Sequence, residues 1–248
     1  MIYKTLSQEC SHEKILRKLF KANCTYDGPA VFTSPLMLIG FTNRCGSNLL
    51  AEHLRAAKGA NGFHEQLNHD VVTKVSCDQG IQSFPDYIRQ VSIGAARHGF
   101  KAGVEQVAML YRLGIVRMYP SVRVLHITRR DTLSQAVSFS IADQTKQWTA
   151  WQAKQSDASF DRADIDRRHD WIAIQNESMR AAAKVFGFGY GHVTYEDLID
   201  NPLDVVSRAA RFFGLTPPEH LPAPRLTRQA GAINAEFITR YLRDIWNP

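Results

Sequence analysis

The feature that most constrains the fold is an apolar strand that runs directly into a polar turn and then into a helix. The segment PLMLIGFT predicts a buried strand ending at Thr42, and Gly46 lies in the turn that follows it. A helix is predicted from about Ser47, with its apolar residues on one face. Because the first N–H groups of a helix have no partner inside the helix, this arrangement predicts an anion site.

Further strands and helices follow in alternation along the chain. VRVLHIT reads as a second buried strand, Asp131 as the cap of the next helix, and HVTY as a short strand near residue 194. Other helices are predicted over 11–22, 85–98, 106–118, 167–186 and 233–245, with one more ending at Gly214. This order predicts an α/β fold with a central parallel sheet flanked by helices and ligands at the carboxyl ends of its strands.

Composition narrows the class of protein. A chain of 248 residues with 44% hydrophobic residues can bury a core as one domain, which we expect to span residues 1–248.

The polar segment 143–166, which carries Trp148 and Trp151, is predicted to be a mobile lid. The four cysteines lack zinc-ligand spacing, so reduced thiols are expected. The apolar stretch 30–41 is too short and too interrupted to span a membrane, and we expect a cytoplasmic protein.

The formal charge of +6 favours anionic partners. The basic residues are spread along the chain without interleaved aromatic residues, which argues against nucleic acid. In the turn TNRCGSNLL, Arg44 adds a positive charge beside the helix start, although Ser47 as a simple helix cap would explain part of the same pattern. The lysine of the nucleotide triphosphatase loop is missing after Gly46, so a phosphate-bearing ligand that needs no metal fits better than ATP with magnesium.

Two further clusters stand at predicted strand ends. In HITRRDTLSQAVS, Ser138 lies eight residues after Arg130, close enough on the following helix to share a phosphate with it, although two adjacent arginines also suit a salt-bridged surface. In HVTYEDLIDNP, Tyr195 is placed at the strand end and the two acids after it as helix caps. Taken in isolation, Tyr195 fits a core aromatic residue better than a ligand contact.

Together and in this order, the three clusters resemble the sulfotransferases that use 3′-phosphoadenosine 5′-phosphosulfate (PAPS), specifically the bacterial family typified by trehalose 2-sulfotransferase. TNRCGSNLL is similar to the family's loop T-P-R-S-G-S-T-L-L, and the RRD…QAVS and YEDL…NP…FFGL segments are similar to its later motifs. The resemblance implies a P-loop-like fold without the Walker lysine. It also implies a donor site made of residues at the three strand ends and in the tail: Arg44, Cys45, Gly46, Ser47 and Asn48 for the 5′-phosphosulfate, Arg130 and Ser138 for the 3′-phosphate, Tyr195 for the adenine side, and Arg228, with Arg129 as a weaker candidate.

Sulfuryl transfer needs a base for the acceptor's proton and cations for the charge on the departing phosphate. The resemblance places the base at Glu65 in GFHEQ, and Arg44 would stabilise the charge. His64 and Glu105 are rival bases, and Glu105, expected at the end of a strand FKAGVE, stands where relatives often carry a cation. Cys45 beside Arg44 is expected to have a lowered pKa and to oxidise readily.

The function expected from this resemblance is in-line sulfuryl transfer from PAPS to a hydroxyl of a carbohydrate or another small molecule, without a metal. The alternative is a nucleotide-binding protein on the same scaffold with impaired catalysis, suggested by Cys45, Asn48 and Glu105. A metal-dependent kinase would need magnesium-stimulated ATP binding, for which this turn is poorly equipped. The resemblance also implies a homodimer.

Overall fold

The computed structural model describes residues 2–93, 97–149, 152–223 and 231–246. A five-stranded sheet runs through them in the order β2-β3-β1-β4-β5, and every neighbouring pair is parallel. The sheet and its order confirm the predicted α/β fold with a central parallel sheet. The strands are β1 Leu36–Phe41, β2 Asn61–His64, β3 His98–Ala102, β4 Val122–Thr128 and β5 Gly189–Thr194.

Helices connect the strands and cover both faces of the sheet. They are α1 Ile2–Ser7, α2 Ser11–Phe20, α3 Ser47–Leu54, α4 His69–Gln79, α5 Phe84–Val91, α6 Val104–Arg112, α7 Thr132–Thr145, α8 Arg162–Val185, α9 Tyr195–Asp200, α10 Pro202–Phe213 and α11 Ala232–Trp246. Short 3-10 turns follow α2 and α6. The alternating side chains of β1 send Leu36 and Leu38 into one core layer and Met37 and Ile39 into the other, as expected for a strand buried on both faces.

Most of the predicted elements are present, with shifted ends. The predicted helix over 85–98 stops at Val91, and His98 begins β3 instead, so that part of the prediction was wrong. The segment FKAGVE is also not a strand throughout. It leaves the sheet at Ala102, and Glu105 lies in the first turn of α6. A glycine at 103 with an extended backbone ends the strand and starts the helix.

The sheet order determines where the site lies. β1 is the central strand, with β3 on one side and β4 on the other. All five strands point the same way, so the segments that follow β1, β3 and β4 emerge side by side at one edge. This edge is where an open α/β sheet binds its ligands. In the part of the chain that the structure describes, no helix is long and apolar enough to cross a membrane.

Candidate functional site

The turn after β1 has a backbone that only a few residue types adopt easily. Gly46 has φ 87° and is the N-cap of α3, and Arg44 has φ 67°. The N-cap makes no side-chain hydrogen bond, so the simple alternative of Ser47 as a helix cap is wrong: Ser47 is the first residue of the helix. Buried Gln135 on α7 holds the turn by donating to the Thr42 hydroxyl and the Asn43 carbonyl, both at 2.8 Å.

Tyr195 packs directly on this turn. A Cβ atom added at Gly46 would overlap the Tyr195 ring, so glycine is required by space as well as by its positive φ. Tyr195 follows the last residue of β5 and begins α9, whose cap is the Thr194 hydroxyl. The guanidinium of Arg129 lies 5.3 Å from the centre of the Tyr195 ring. The three clusters predicted from sequence therefore meet at Gly46, Tyr195 and Arg129.

Two partly buried arginines converge at the turn. Arg44 donates from Nε to the Ser138 hydroxyl at 3.0 Å and from its terminal nitrogen to the Trp148 carbonyl at 2.8 Å. The Arg129 side chain is only 13% exposed, and its buried Nε has no hydrogen-bond partner within the described ranges. Burial, and then the positive charge of Arg129, lower the pKa of Arg44. The turn thus holds two like charges out of water, an arrangement that an anion would stabilise.

Arg130 points elsewhere. Its guanidinium donates to Asp197 at 2.8 Å and to the Thr194 hydroxyl at 3.2 Å, and its backbone N–H faces the Glu196 carboxylate. The hydrogen bond from Arg130 lowers the pKa of Asp197. The structure therefore brings Ser138 to Arg44 rather than to Arg130. The two acidic residues after Tyr195, Glu196 and Asp197, lie in the first turn of α9 and also bind Arg130.

Cys45 differs from its sequence-based expectation. Its side chain is fully buried in the core layer beneath the turn, and burial raises the pKa of the thiol. The predicted lowered pKa and ready oxidation were wrong, because the loss of hydration outweighs the hydrogen bonds and the charge of Lys101. The backbone N–H of Cys45 donates weakly to the Thr42 carbonyl at 3.4 Å.

Lys101 is a site residue that the sequence analysis missed. It lies near the end of β3 and is only 2% exposed. Its ammonium group donates to Glu65 Oε1 at 2.7 Å and to Asn48 Oδ1, and it lies 4.7 Å from the centre of the Phe41 ring. The signal was present in the sequence as a lysine inside an otherwise apolar strand. A buried lysine is rare unless it is paired.

A cavity of about 550 Å³ opens beside the turn, and Arg44, Asn48 and Lys101 line it. Glu65 and Glu105 both line it, whereas the rival base His64 is not among the lining residues. Trp148 and Gln152 reach it from the predicted lid, and Trp171 and Gln175 from α8. Arg228 and Trp151 lie outside the described residues. Within the described residues, no group of three His, Cys, Asp or Glu side chains is arranged to hold a metal ion.

The fold and the site together define a class: α/β proteins whose central parallel strand ends in a glycine turn at a helix start, a place that favours anions. The family model described as Stf0 sulphotransferase matches residues 110–244, and the chain belongs to this family. The resemblance read from the sequence is confirmed at the level of the family. A comparison with curated proteins found no match.

Solved sulfotransferase structures share the fold. A sulfotransferase from Alicyclobacillus acidocaldarius is 13% identical, with a TM-score of 0.50, over 86% of this chain and 94% of that one. The sulfotransferase domain from the curacin biosynthetic pathway is also 13% identical, with a TM-score of 0.50, over 82% of this chain and 83% of that one. At these identities the likeness concerns the fold. Family membership makes the protein a sulfotransferase.

Proposed function

We propose that the protein transfers a sulfuryl group from PAPS to a hydroxyl of a carbohydrate or another small molecule. The observation that carries the proposal is the pair of partly buried arginines, Arg44 and Arg129, at the glycine turn. An anion with several oxygens would accept hydrogen bonds from Arg44, the unpartnered Nε of Arg129, the Ser138 hydroxyl and the first N–H groups of α3. The phosphates of PAPS have this chemistry, and the residues present fit it.

Within this proposal, Arg129 replaces Arg130 as the main arginine for the donor's phosphates. Arg130 is half-exposed and paired with Asp197, so part of its charge is already neutralised. The Arg129 side chain is 13% exposed at the turn, its Nε has no hydrogen-bond partner among the described residues, and its terminal nitrogen lies 4.0 Å from the Asp131 carboxylate. Tyr195, which packs on Gly46 and under Arg129, would contact the nucleotide from the side of β5.

Glu65 is our choice for the base. Its carboxylate lines the cavity, is half-exposed and is held by Lys101. PAPS supplies an activated sulfuryl group. In the transfer, a bond forms between the acceptor oxygen and sulfur, the bond from sulfur to the phosphate oxygen breaks, and Glu65 takes the hydroxyl proton. Lys101, Arg44 and the start of α3 stabilise the negative charge that the phosphate keeps.

Calorimetric titration with adenosine 3′,5′-bisphosphate, run beside ATP with magnesium, tests the donor. Micromolar binding of the bisphosphate is expected, without comparable binding of ATP. Arg129→Ala should weaken the bisphosphate by about tenfold or more, the value of a charge-assisted hydrogen bond. Arg130→Ala, the adjacent arginine, is the matched control and should cost much less. Absence of bisphosphate binding by the unmodified protein would overturn the proposed function.

Glu65→Gln tests the base separately. The variant should bind the bisphosphate normally but lose turnover by about 10²–10⁴, the usual contribution of a positioned base. Near-normal turnover would exclude Glu65. If the unmodified protein binds the bisphosphate but transfers sulfate to no hydroxyl, the alternative of a nucleotide-binding protein with impaired catalysis gains support. The carbohydrate acceptor, the cytoplasmic location and the homodimer stay predictions.

A further inference from the structure

Glu105 occupies a distinctive place in the cavity wall. It lies in the first turn of α6 and lines the 550 Å³ cavity, and it also lines a second cavity of about 200 Å³ next to α1 and the start of α2. Its backbone carbonyl accepts a weak hydrogen bond from Cys10 Sγ at 3.8 Å. Glu105 is therefore part of the wall of both cavities.

The carboxylate of Glu105 has no hydrogen bond or ion pair with any residue that the structure describes. The cations nearby are engaged elsewhere. Lys101 is paired with Glu65, and Arg112 with buried Glu13. Lys4 lines the second cavity together with Glu105, but it makes no ion pair with it. The start of α6 favours a negative charge, yet backbone dipoles alone leave the carboxylate oxygens without a donor.

The charges along the 550 Å³ cavity are consequently uneven. Arg44 adds a positive charge to the cavity lining at the glycine turn, and Lys101 and Glu65 neutralise each other. Glu105 adds a negative charge that no described residue of the lining pairs with. His12, which also lines the cavity, does not compensate it, because burial and the neighbouring His69 lower the pKa of His12 and keep it neutral at pH 7. An anionic donor would pair with Arg44, and a cationic group would pair with Glu105.

We propose that Glu105 binds a protonated amine of the acceptor, so that the acceptor is an amino alcohol or amino sugar that is sulfated on a hydroxyl. This inference rests on the proposed function and names the acceptor class of the same site. A carboxylate and an ammonium form a charge-assisted hydrogen bond, which is stronger than one to a neutral hydroxyl. The protonated nitrogen has no lone pair, so the hydroxyl oxygen forms the bond to sulfur and Glu65 takes its proton.

Two matched pairs of probes test the proposal by calorimetry with the protein saturated with adenosine 3′,5′-bisphosphate. They are glucosamine with glucose, and ethanolamine with ethanediol. The amine of at least one pair should bind about tenfold or more tightly than its neutral partner, as expected for one charge-assisted hydrogen bond. Glu105→Gln should abolish this preference and leave bisphosphate affinity unchanged. Glu236→Gln, an exposed glutamate on α11 away from the cavity, is the control and should keep the preference.

Each other outcome overturns the proposal. If neither amine binds better than its neutral partner, or if Glu105→Gln keeps the preference, Glu105 does not recognise an ammonium group. If Glu105→Gln loses turnover with amine and neutral acceptors alike, Glu105 acts as the base instead. Titration of the same samples with the bisphosphate separates these results from failure of the proposed function. If the acceptor preference is lost but the bisphosphate still binds, only the role of Glu105 is wrong and the proposed donor site is unaffected.

Discussion

At the scale of single residues, Gly46 shows how one position can determine both the shape and the chemistry of a site. Its positive φ turns the chain so that α3 begins at the turn, and its missing Cβ lets the Tyr195 ring pack against the backbone. A residue with a side chain would be strained by the positive φ, and its Cβ atom would collide with the Tyr195 ring. The sequence predicted a glycine turn, but only the structure shows what fills the space above it.

Gly46→Ala should therefore impair both stability and donor binding. The left-handed backbone alone costs about 1–2 kcal/mol for alanine, and displacement of Tyr195 adds to this and weakens bisphosphate binding. Gly59→Ala is the matched control, because Gly59 has φ 86° and nothing within 4 Å of an added Cβ. Urea unfolding and calorimetry on both variants measure the difference. Equal effects of the two substitutions would show that Tyr195 does not depend on this contact.

Lys101 and Glu65 form an ion pair whose two members differ in exposure. The Lys101 side chain is 3% exposed and that of Glu65 is 51% exposed. Removing Glu65 leaves a buried ammonium without its anion, whereas removing Lys101 leaves a carboxylate that water can reach. The pair is therefore expected to respond asymmetrically to substitution.

Glu65→Gln should lower the free energy of unfolding by about 1–3 kcal/mol, the cost of a buried group that loses its partner, and Lys101→Met should change it little. Both variants should lose turnover, since Lys101→Met removes a cation proposed to stabilise the phosphate. Urea unfolding near pH 7 measures the first effect and a sulfate-transfer assay the second. A Lys101→Met protein that is the less stable of the two would contradict the asymmetry.

At the scale of elements, the connection between α7 and α8 covers one side of the cavity. The predicted lid at 143–166 includes the end of α7 and the start of α8, and its described residues outside these helices are 146–149 and 152–161. Gln144 binds this connection through its side chain, which accepts a hydrogen bond from the Ser159 N–H at 2.9 Å and donates one to the Ser159 carbonyl at 3.1 Å. Arg44 holds it from the other side through the Trp148 carbonyl.

Gln144→Ala should release this connection without unfolding the sheet. Amide hydrogen exchange over 152–161 should accelerate by about tenfold or more, because the two Ser159 hydrogen bonds each contribute about 0.5–1.5 kcal/mol. Gln155→Ala, an exposed position in the same connection, serves as the control and should leave exchange unchanged. Global stability should fall by less than about 2 kcal/mol in both variants. Unchanged exchange in the Gln144 variant would show that the connection is held by other contacts.

The elements that the sequence predicted best are those with the strongest local signals. β1 and β4 are continuous apolar runs, and the helix after Asp131 has its cap, since the Asp131 carboxylate accepts from the Ser134 N–H at 2.9 Å. The helix α4 was missed because its buried residues are few, Val72 and Ser76, so its apolar period is weak. The resemblance ranked Arg130 above Arg129, but the local sequence could not predict which of the two is the less exposed, because adjacent side chains diverge and the neighbouring β5 and α9 determine it.

At the scale of the whole molecule, buried histidines make stability depend on pH. His126, in β4, bonds to the Tyr190 hydroxyl and to Asn176, with His192 and Arg180 nearby. Burial, followed by the charge of His192, lowers the pKa of His126 to about 3, and burial lowers the pKa of His98 to about 4. In the unfolded chain these pKa values return to about 6.5. Below pH 6.5 the unfolded state therefore binds protons that the folded state does not.

The free energy of unfolding should consequently fall as the pH drops from 7 to 5. Each of the two histidines should contribute a loss of about 2 kcal/mol over this range. His126→Gln should reduce the total loss by about 2 kcal/mol, whatever it does to stability at pH 7. Urea unfolding of both proteins at pH 7 and pH 5 provides the four values. The same pH dependence in the variant would mean that the pKa of His126 is not lowered in the folded state.

The order of the strands has a consequence for how this protein can be altered. The groups proposed for the donor follow β1, β4 and β5, whereas those proposed for the acceptor follow β2 and β3, so the proposed function assigns the two halves of the sheet to different substrates. Lys101 is the residue that bridges them, through Asn48 on one side and Glu65 on the other. Segments on the β2 side can therefore be exchanged or randomised to obtain new acceptors while the nucleotide half is kept, provided that the lysine and its two partners are retained.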